Sequence, residues 1–272
     1  MGRFARHRAG VVGLGLVGAL AVTAVLAPWV AWHPVDEQDL SRALETPSLA
    51  HPLGTDELGR DLWSRIAHGA RISLGFAVLI VAAAVTVGLG LGLAAGFRGG
   101  LLDEIVMRLT DVLLAFPGFL LAIAIVSALG GGNLLNVALA LAIFILPGFI
   151  RLTRASALAE RAREYVEAAR ALGMADPSIA WRHVLPNILN VVLVQASLRM
   201  GTVILLLSGF SFLGLGPRPP TPEWGLMLAT GDDYLRSSPH LSLVPGTAIV
   251  LAVLGFNLVG DALRDALDPR LR

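Results

Sequence analysis

Long uncharged runs alternate with short charged segments along this chain, and the alternation predicts six membrane spans. Val11 to Trp32 is 22 residues without a charge, enough to cross a hydrocarbon core ~30 Å thick as one helix. Ala19-Leu20-Ala21 has the small-x-small form of a leader cleavage site. Apolar sequence continues past it to Trp29 and Trp32, which suit an interfacial anchor, so the run reads as an uncleaved span. Ile72 to Phe97 is a second span, with Gly88, Gly92 and Gly96 at the four-residue spacing of close helix packing. Phe97 to Gly100 forms a turn, and Asp103-Glu104 then charge the start of a third helix, as the helix dipole favours. Val112 to Ile150 is uncharged for 39 residues, too many for one helix. Gly130-Gly131-Gly132-Asn133 divides it into two antiparallel spans, and Pro147 is a candidate kink in the second. Ile188 to about Leu215 is the fifth span and Leu241 to Gly260 the sixth.

The polar segments between these runs carry the remaining signals. His33 to Ala70 holds Asp36, Glu37, Asp39, Glu45, Asp56, Glu57 and Asp61 with Arg42, Arg60 and Arg65. Its prolines predict irregular chain with a short helix around Asp56 to Ala67. The scatter of its acids reads as solvation rather than a metal site. Gly13-Leu-Gly15-Leu-Val-Gly18 matches a dinucleotide fingerprint, but it follows no strand, so small residues packing against another helix are the better account. Phe212 to Gly225 carries Pro217, Pro219, Pro220 and Pro222, which exclude regular helix and predict a stiff exposed turn.

The segment from Arg163 to Asn187 reads as a short helix, a stop and a second short helix. Tyr165, Ala168, Ala169 and Leu172 fall at i, i+3, i+4 and i+7 and predict one modestly apolar face. Two adjacent alanines permit close approach by a partner, with Glu164, Glu167, Arg163 and Arg170 at the rim. Gly173 stands where a left-handed residue ends a helix. Asp176-Pro177 reads as an N-cap followed by proline at the first helical position, and Pro186 as the point where the chain changes direction.

Composition narrows the chemistry. The chain is 55% hydrophobic and only 15% charged, with mean hydropathy +0.72, where a soluble domain averages about 25% charge. Net charge of +1 argues against a nucleic-acid partner. All 21 basic residues are arginine. Without lysine there is no Walker A lysine to hold ATP phosphates, and without cysteine there are no disulfides or thiolate metal ligands. If ATP powers this protein, another chain binds it.

Three charges fall where charge is costly. Arg108 and Asp111, at i and i+3 on the third helix, are expected to neutralise each other in part, facing a partner subunit ahead of contacting substrate. Arg199 sits near the middle of the fifth span, where an isolated arginine costs ~2.5–3.5 kcal/mol on insertion scales. It is expected to face a carboxylate or backbone carbonyls of another helix, or else line a substrate route, or to snorkel to the interface if the span is shifted in the membrane.

Glu167-Ala168-Ala169, Gly173 and His183-Val184-Leu185-Pro186 resemble the cytoplasmic EAA loop of permease subunits in binding-protein-dependent ABC importers, with His183 at a position where that family has isoleucine. His51-Pro-Leu-Gly-Thr-Asp56-Glu-Leu-Gly-Arg60-Asp61, Met107 to Pro117, and Leu213-Gly-Leu-Gly216 with Pro219-Pro-Thr-Pro222 resemble the dipeptide and oligopeptide branch, which also includes importers of nickel and other small solutes. The resemblance covers the whole chain and is to the C-type subunit. It implies an all-α membrane protein of six transmembrane helices with type I importer architecture. Residues 1–70 would give a first helix and an extracytoplasmic segment, 71–262 a five-helix permease core with its coupling loop at about 158–186, and 263–272 a tail. It further implies a homologous second permease, two cytoplasmic ATPases holding ATP and magnesium, an extracytoplasmic binding protein, a plasma-membrane location, and no catalytic, cofactor or metal site in this chain. ATPase coupling would fall on Glu164, Tyr165, Glu167, Ala168, Ala169, Leu172, Gly173, Asp176, Pro177, Leu185 and Pro186.

Charge orients the bundle independently. Six spans place both chain ends on one side, and fourteen of the 21 arginines fall on that side against six on the other. The excess puts the ends and the Glu164–Pro186 segment in the cytoplasm. An ion-driven secondary transporter is disfavoured, since Arg199 is the only clear midplane charge and no repeat is visible. A membrane-embedded enzyme is disfavoured by six scattered histidines with no H-E-x-x-H.

Overall fold

The computed structural model describes residues 7–267, so Arg3, Arg6, Arg270 and Arg272 of the arginine count and residues 268–272 of the tail lie outside the described residues. The described chain is helical, with one isolated bridge between Thr55 and Asp61. Its helices are α1 (Arg8–Val30), α2 (Leu62–Arg98), α3 (Gly100–Ala115), α4 (Gly118–Ala128), α5 (Leu134–Arg161), α6 (Glu164–Ala171), α7 (Asp176–Ile179), α8 (Leu185–Phe212), α9 (Trp224–Asp232) and α10 (His240–Leu267). Five are long and apolar enough to cross a membrane. The pair α3–α4, bent by 93°, makes a sixth crossing if read as one broken span.

That break corrects the expected straight third span. Pro117 disfavours helical backbone at the residue before it, and Phe116 is extended at φ −91°, ψ 143°. The turn after α4 stands where the three glycines place it, and Asn133 caps α5 by accepting from Leu135 N at 2.9 Å.

The densest packing is between α2 and α5. A Cβ at Gly88, Gly92 or Gly96 would lie 2.6–2.7 Å from Phe149 Cβ, Ile150 O or Arg154 O. The backbones meet because those side chains are missing, as the spacing predicts. Of Gly13, Gly15 and Gly18 in α1, Gly13 has that role, against Leu258 and Gly255 of α10; Gly15 and Gly18 have open space around them.

His7 Nε2 lies 3.3 Å from Asp265 Oδ2, so both ends of the described chain share one end of the bundle. The ends of α2 and α5 and the start of α8 join there in a cluster of Leu93, Phe97, Ala157, Leu185 and Ile188. The opposite end holds residues 33–61 and α9.

Asp36, Glu37 and Asp39 are exposed, as expected of solvated acids, but Asp56 and Asp61 are buried and tied down. Asp61 caps α2, accepting from Ser64 N (2.8 Å) and Ser64 Oγ (2.7 Å), and also accepts from His51 Nδ1 (2.9 Å). Asp56 lies between Arg60 Nε at 2.6 Å and Arg65 Nε at 3.3 Å, all three buried. Gly59, at φ +74°, lets this loop close against the backbone of Asp39 where any side chain would collide. The helix expected around Asp56–Ala67 is the start of α2, which runs unbroken from Leu62 through the second span.

The proline segment after α8 also departs from expectation. Pro219 and Pro220 are exposed, but the chain then dives inward, and Glu223 and Trp224 are fully buried. Trp224 Nε1 donates to Ile66 O (3.1 Å), while Glu223 accepts from Leu226 N (2.9 Å) and Ser73 Oγ (3.3 Å) and so caps α9.

Candidate coupling surface

Helices α6 and α7 form a handle at the end of the bundle where the chain ends meet. Helix α6 closes as its sequence dictates. Gly173 takes φ +81°, its N–H bonds Arg170 O (2.9 Å), and Met174 N–H bonds Ala169 O (3.1 Å). This is the paired hydrogen-bond pattern of a glycine-terminated helix. No other residue type takes that backbone at so little cost.

The handle is attached to the bundle by a stripe beside the apolar face that the sequence offers to a partner. Val166, Ala169, Ile179 and Val184 pack on Leu93 and Phe97 of α2 and Ala157 of α5. Of the face expected from Tyr165, Ala168, Ala169 and Leu172, only Ala169 is buried; Ala168 and Leu172 point outward, Leu172 at 84% exposure. The buried stripe is offset by one residue from that face because Val166 is the anchor. Tyr165 stands at the margin, its hydroxyl donating to Glu160 Oε2 (2.6 Å) and accepting from Asn187 Nδ2 (3.2 Å). Burial, with the bond to Glu160, pushes its phenol up from its ordinary value, so it stays neutral and able to donate.

Asp176 does not cap α7. Ala175 holds that position and Asp176 is the first helical residue, its carboxylate accepting from Arg170 Nε (2.9 Å). The Arg170 guanidinium also lies 5.4 Å from the Phe97 ring centroid, so it ties α6 to both α7 and α2. Pro177 is exposed, Leu185 buried and Pro186 exposed.

Nor does the chain change direction at Pro186. The backbone stays right-handed helical from Ile179 to Leu185 through one π-helical turn, Ala180–Val184. Pro186 has no N–H for the carbonyl four residues back, and a widened turn is a standard accommodation. Asn187 Nδ2 donates to His183 O at 3.0 Å within it. Helix α7, this turn and α8 therefore form one 37-residue helix from Asp176 to Phe212.

Facing away from the bundle are Glu164, Glu167, Ala168, Leu172, Pro177, Trp181 and Arg182. Leu172 and Trp181, at 84% and 70% exposure, are large apolar groups flanked by charge of both signs. Trp181 lies outside the expected set, hidden in sequence because nothing local marks a tryptophan on a π turn as outward.

The remaining polar residues are arranged differently from expectation. Arg108 pairs with Glu104 (2.7 Å), one turn back on α3, and Asp111 pairs with Arg151 of α5 (2.6 Å). The expected Arg108–Asp111 pair is thus replaced by two others, since i, i+4 contact is as close as i, i+3 and α5 supplies a second arginine. Arg199 is half-buried beside Gly148. Among the described residues it has no ion pair or hydrogen bond, so the expected carboxylate or carbonyl partner is not found among them.

His33, His51 and Asp61 bring ligand-type atoms within 4.8 Å of one another. His51 already uses both ring nitrogens, Nδ1 toward Asp61 and Nε2 toward Arg42 Nη1 (3.1 Å). With both ring nitrogens engaged, the set works as a clasp for the loop.

Comparison with known proteins agrees with this architecture. A family model described as "Binding-protein-dependent transport system inner membrane component" matches residues 88–272, and one described as "N-terminal TM domain of oligopeptide transport permease C" matches residues 1–52. The chain is 43% identical to a dipeptide transport system permease protein of Alkalihalophilus pseudofirmus, covering 98% of this chain and 88% of the relative. It is 45% identical to a glutathione transport system permease protein of Pectobacterium atrosepticum, covering 99% and 90%. It is 44% identical to a di/tripeptide transport system permease protein of Pseudomonas aeruginosa, again covering 99% and 90%. The chain therefore belongs to the inner-membrane components of binding-protein-dependent transport systems, as a multi-pass permease subunit of an ABC importer without an ATP-binding domain of its own.

Proposed function

We propose that this permease forms half of the translocation pathway of an importer of dipeptides or oligopeptides in a bacterial plasma membrane. A second, homologous permease supplies the other half. Two cytoplasmic ATPase subunits bind ATP and magnesium, and an extracytoplasmic binding protein delivers the solute at the end formed by residues 33–61 and α9. The peptide assignment rests on the names of the relatives, and the orientation on the arginine excess at the end carrying the chain ends and the handle.

The observation that carries the mechanism is the handle itself. It is anchored on one face by Val166 and Ala169 and presents Leu172 and Trp181 on the other. A segment held on one side and bare on the other suits a surface gripped by an ATPase. Closure of the ATPases on nucleotide would displace α6–α7, and the continuous helix into α8 would carry that displacement into the bundle. Access would then switch from outside to inside, with ATP driving a two-state element that substrate also biases.

The test is uptake of labelled dialanine by proteoliposomes holding the whole importer and its binding protein. Uptake should require ATP, and Leu172→Asp should cut it at least tenfold while permease content and melting behaviour stay unchanged. Dialanine uptake without ATP or without the ATPase subunits would defeat the proposal.

A further inference from the structure

Arg199 lies fourteen residues from the start of α8, and Gly148 thirteen from the end of α5. Both are thus ~20 Å inside the bundle. A Cβ at Gly148 would sit 3.8 Å from the Arg199 terminal nitrogen, so the two face each other at one depth. Glycine there leaves room beside the guanidinium. Hydrocarbon is a costly surrounding for such a group, so water, another protein chain or a ligand must meet it.

The neighbours suggest which. Gln195, Arg199 and Thr202 follow at i, i+4 and i+7 and are all half-buried, forming one polar stripe on α8. Arg151 lies one turn from Gly148 and pairs with Asp111 while both remain about half exposed. An ion pair left this open would be poorly placed against lipid. The polar groups of α3, α5 and α8 therefore mark one side of the bundle as wet in the assembled importer.

We propose that Arg199 is a carboxylate-binding station on the solute route, recognising the terminal carboxylate that short peptides share. The proposal rests on the permease reading above and names what the route recognises. A guanidinium stays charged at any working pH and presents a planar fork matching a carboxylate. Reading only that group would let side chains vary, as a carrier of mixed peptides requires. The other source of a carboxylate is the second permease, which would make Arg199 a structural partner.

The chain has no cysteine, so Thr202→Cys places a unique thiol in it one turn from Arg199. In the whole reconstituted importer, its reaction with anionic sulfonatoethyl and cationic trimethylammonioethyl methanethiosulfonates is compared, normalised to free thiol. The anionic reagent should be favoured on the order of tenfold by a neighbouring unpaired positive charge. Arg199→Gln should abolish that preference, and Arg199→Lys should keep it. Without the reporter cysteine, Arg199→Gln should lower dialanine uptake at least tenfold while binding-protein-stimulated ATP hydrolysis stays within twofold. A thiol unreactive to both reagents overturns the station, as does a preference that survives Arg199→Gln. So does uptake and ATP hydrolysis falling together, the signature of a carboxylate supplied by the second permease. If the unsubstituted importer takes up no dialanine yet the preference depends on Arg199, the peptide assignment falls and the anion site stands.

Discussion

Replacing Gly173 by valine should uncouple ATP hydrolysis from uptake, and the structure sets the size of the effect. Nothing lies within 4 Å of a Cβ built at Gly173, so no collision contributes. The cost is then the backbone alone: φ is +81°, and a left-handed conformation costs an ordinary L-residue ~1–2 kcal/mol, with β-branched side chains worst placed. Against this stands the anchoring of α6. Val166 is fully buried, which is worth ~1.5–3 kcal/mol, and Ala169 adds less. The handle should therefore stay on the bundle while its displaced arrangements become ~5–30-fold more populated. Uptake of dialanine per ATP hydrolysed, measured in proteoliposomes, should fall in step with the displaced fraction while membrane insertion is unchanged. Because the conformation is responsible, asparagine, which tolerates positive φ, should be milder than alanine, and alanine milder than valine. An unaltered ratio in Gly173→Val would refute the reasoning, as would asparagine proving as damaging as valine.

Gly92→Val should lower the melting temperature of the detergent-purified importer, because its Cβ would lie 2.7 Å from Ile150 O and from Thr153 Cβ, an overpacking worth ~1–3 kcal/mol or more; Gly90→Ala, in open space, should not. Asp61→Ala removes the cap of α2 and strands the buried His51 donor, a loss of ~2–4 kcal/mol that protease sensitivity of residues 33–61 should report, with Asp61→Asn milder. Burial raises the Glu223 carboxyl above its ordinary value, so folding favours its neutral form. Its stabilisation is complete below the unfolded pKa of about 4.3 and is lost as pH rises through the raised folded value. Glu223→Gln should flatten that decline, and melting curves that run parallel with pH in the two proteins would contradict it.

The spans were legible because lipid demands an unbroken apolar run, and the α2–α5 contact because glycine at four-residue spacing has few other uses in a membrane. What escaped depends on partners distant in sequence. Asp111 reads as a neighbour of Arg108, yet its partner is forty residues away on α5. Asp56 and Asp61 look like solvated acids until the folded loop supplies Arg65 and His51. Helix α9 is nine residues long and follows four prolines, so neither length nor periodicity announces it. In the handle, Gly173 was readable because positive φ narrows the choice of residue. The anchoring role of Val166 was not, because it packs in one cluster with Phe97, far away in sequence.

The unbroken run from Asp176 to Phe212 makes one stiff rod of the handle's second half and a central strut of the bundle. Arg199 is 23 residues from the end a motor would push, ~35 Å along the axis. A rocking of 5° about that end carries the guanidinium ~3 Å, the full length of a hydrogen bond. A grip on a carboxylate could thus be made or released by leverage alone, with no helix unwinding and no side chain changing rotamer.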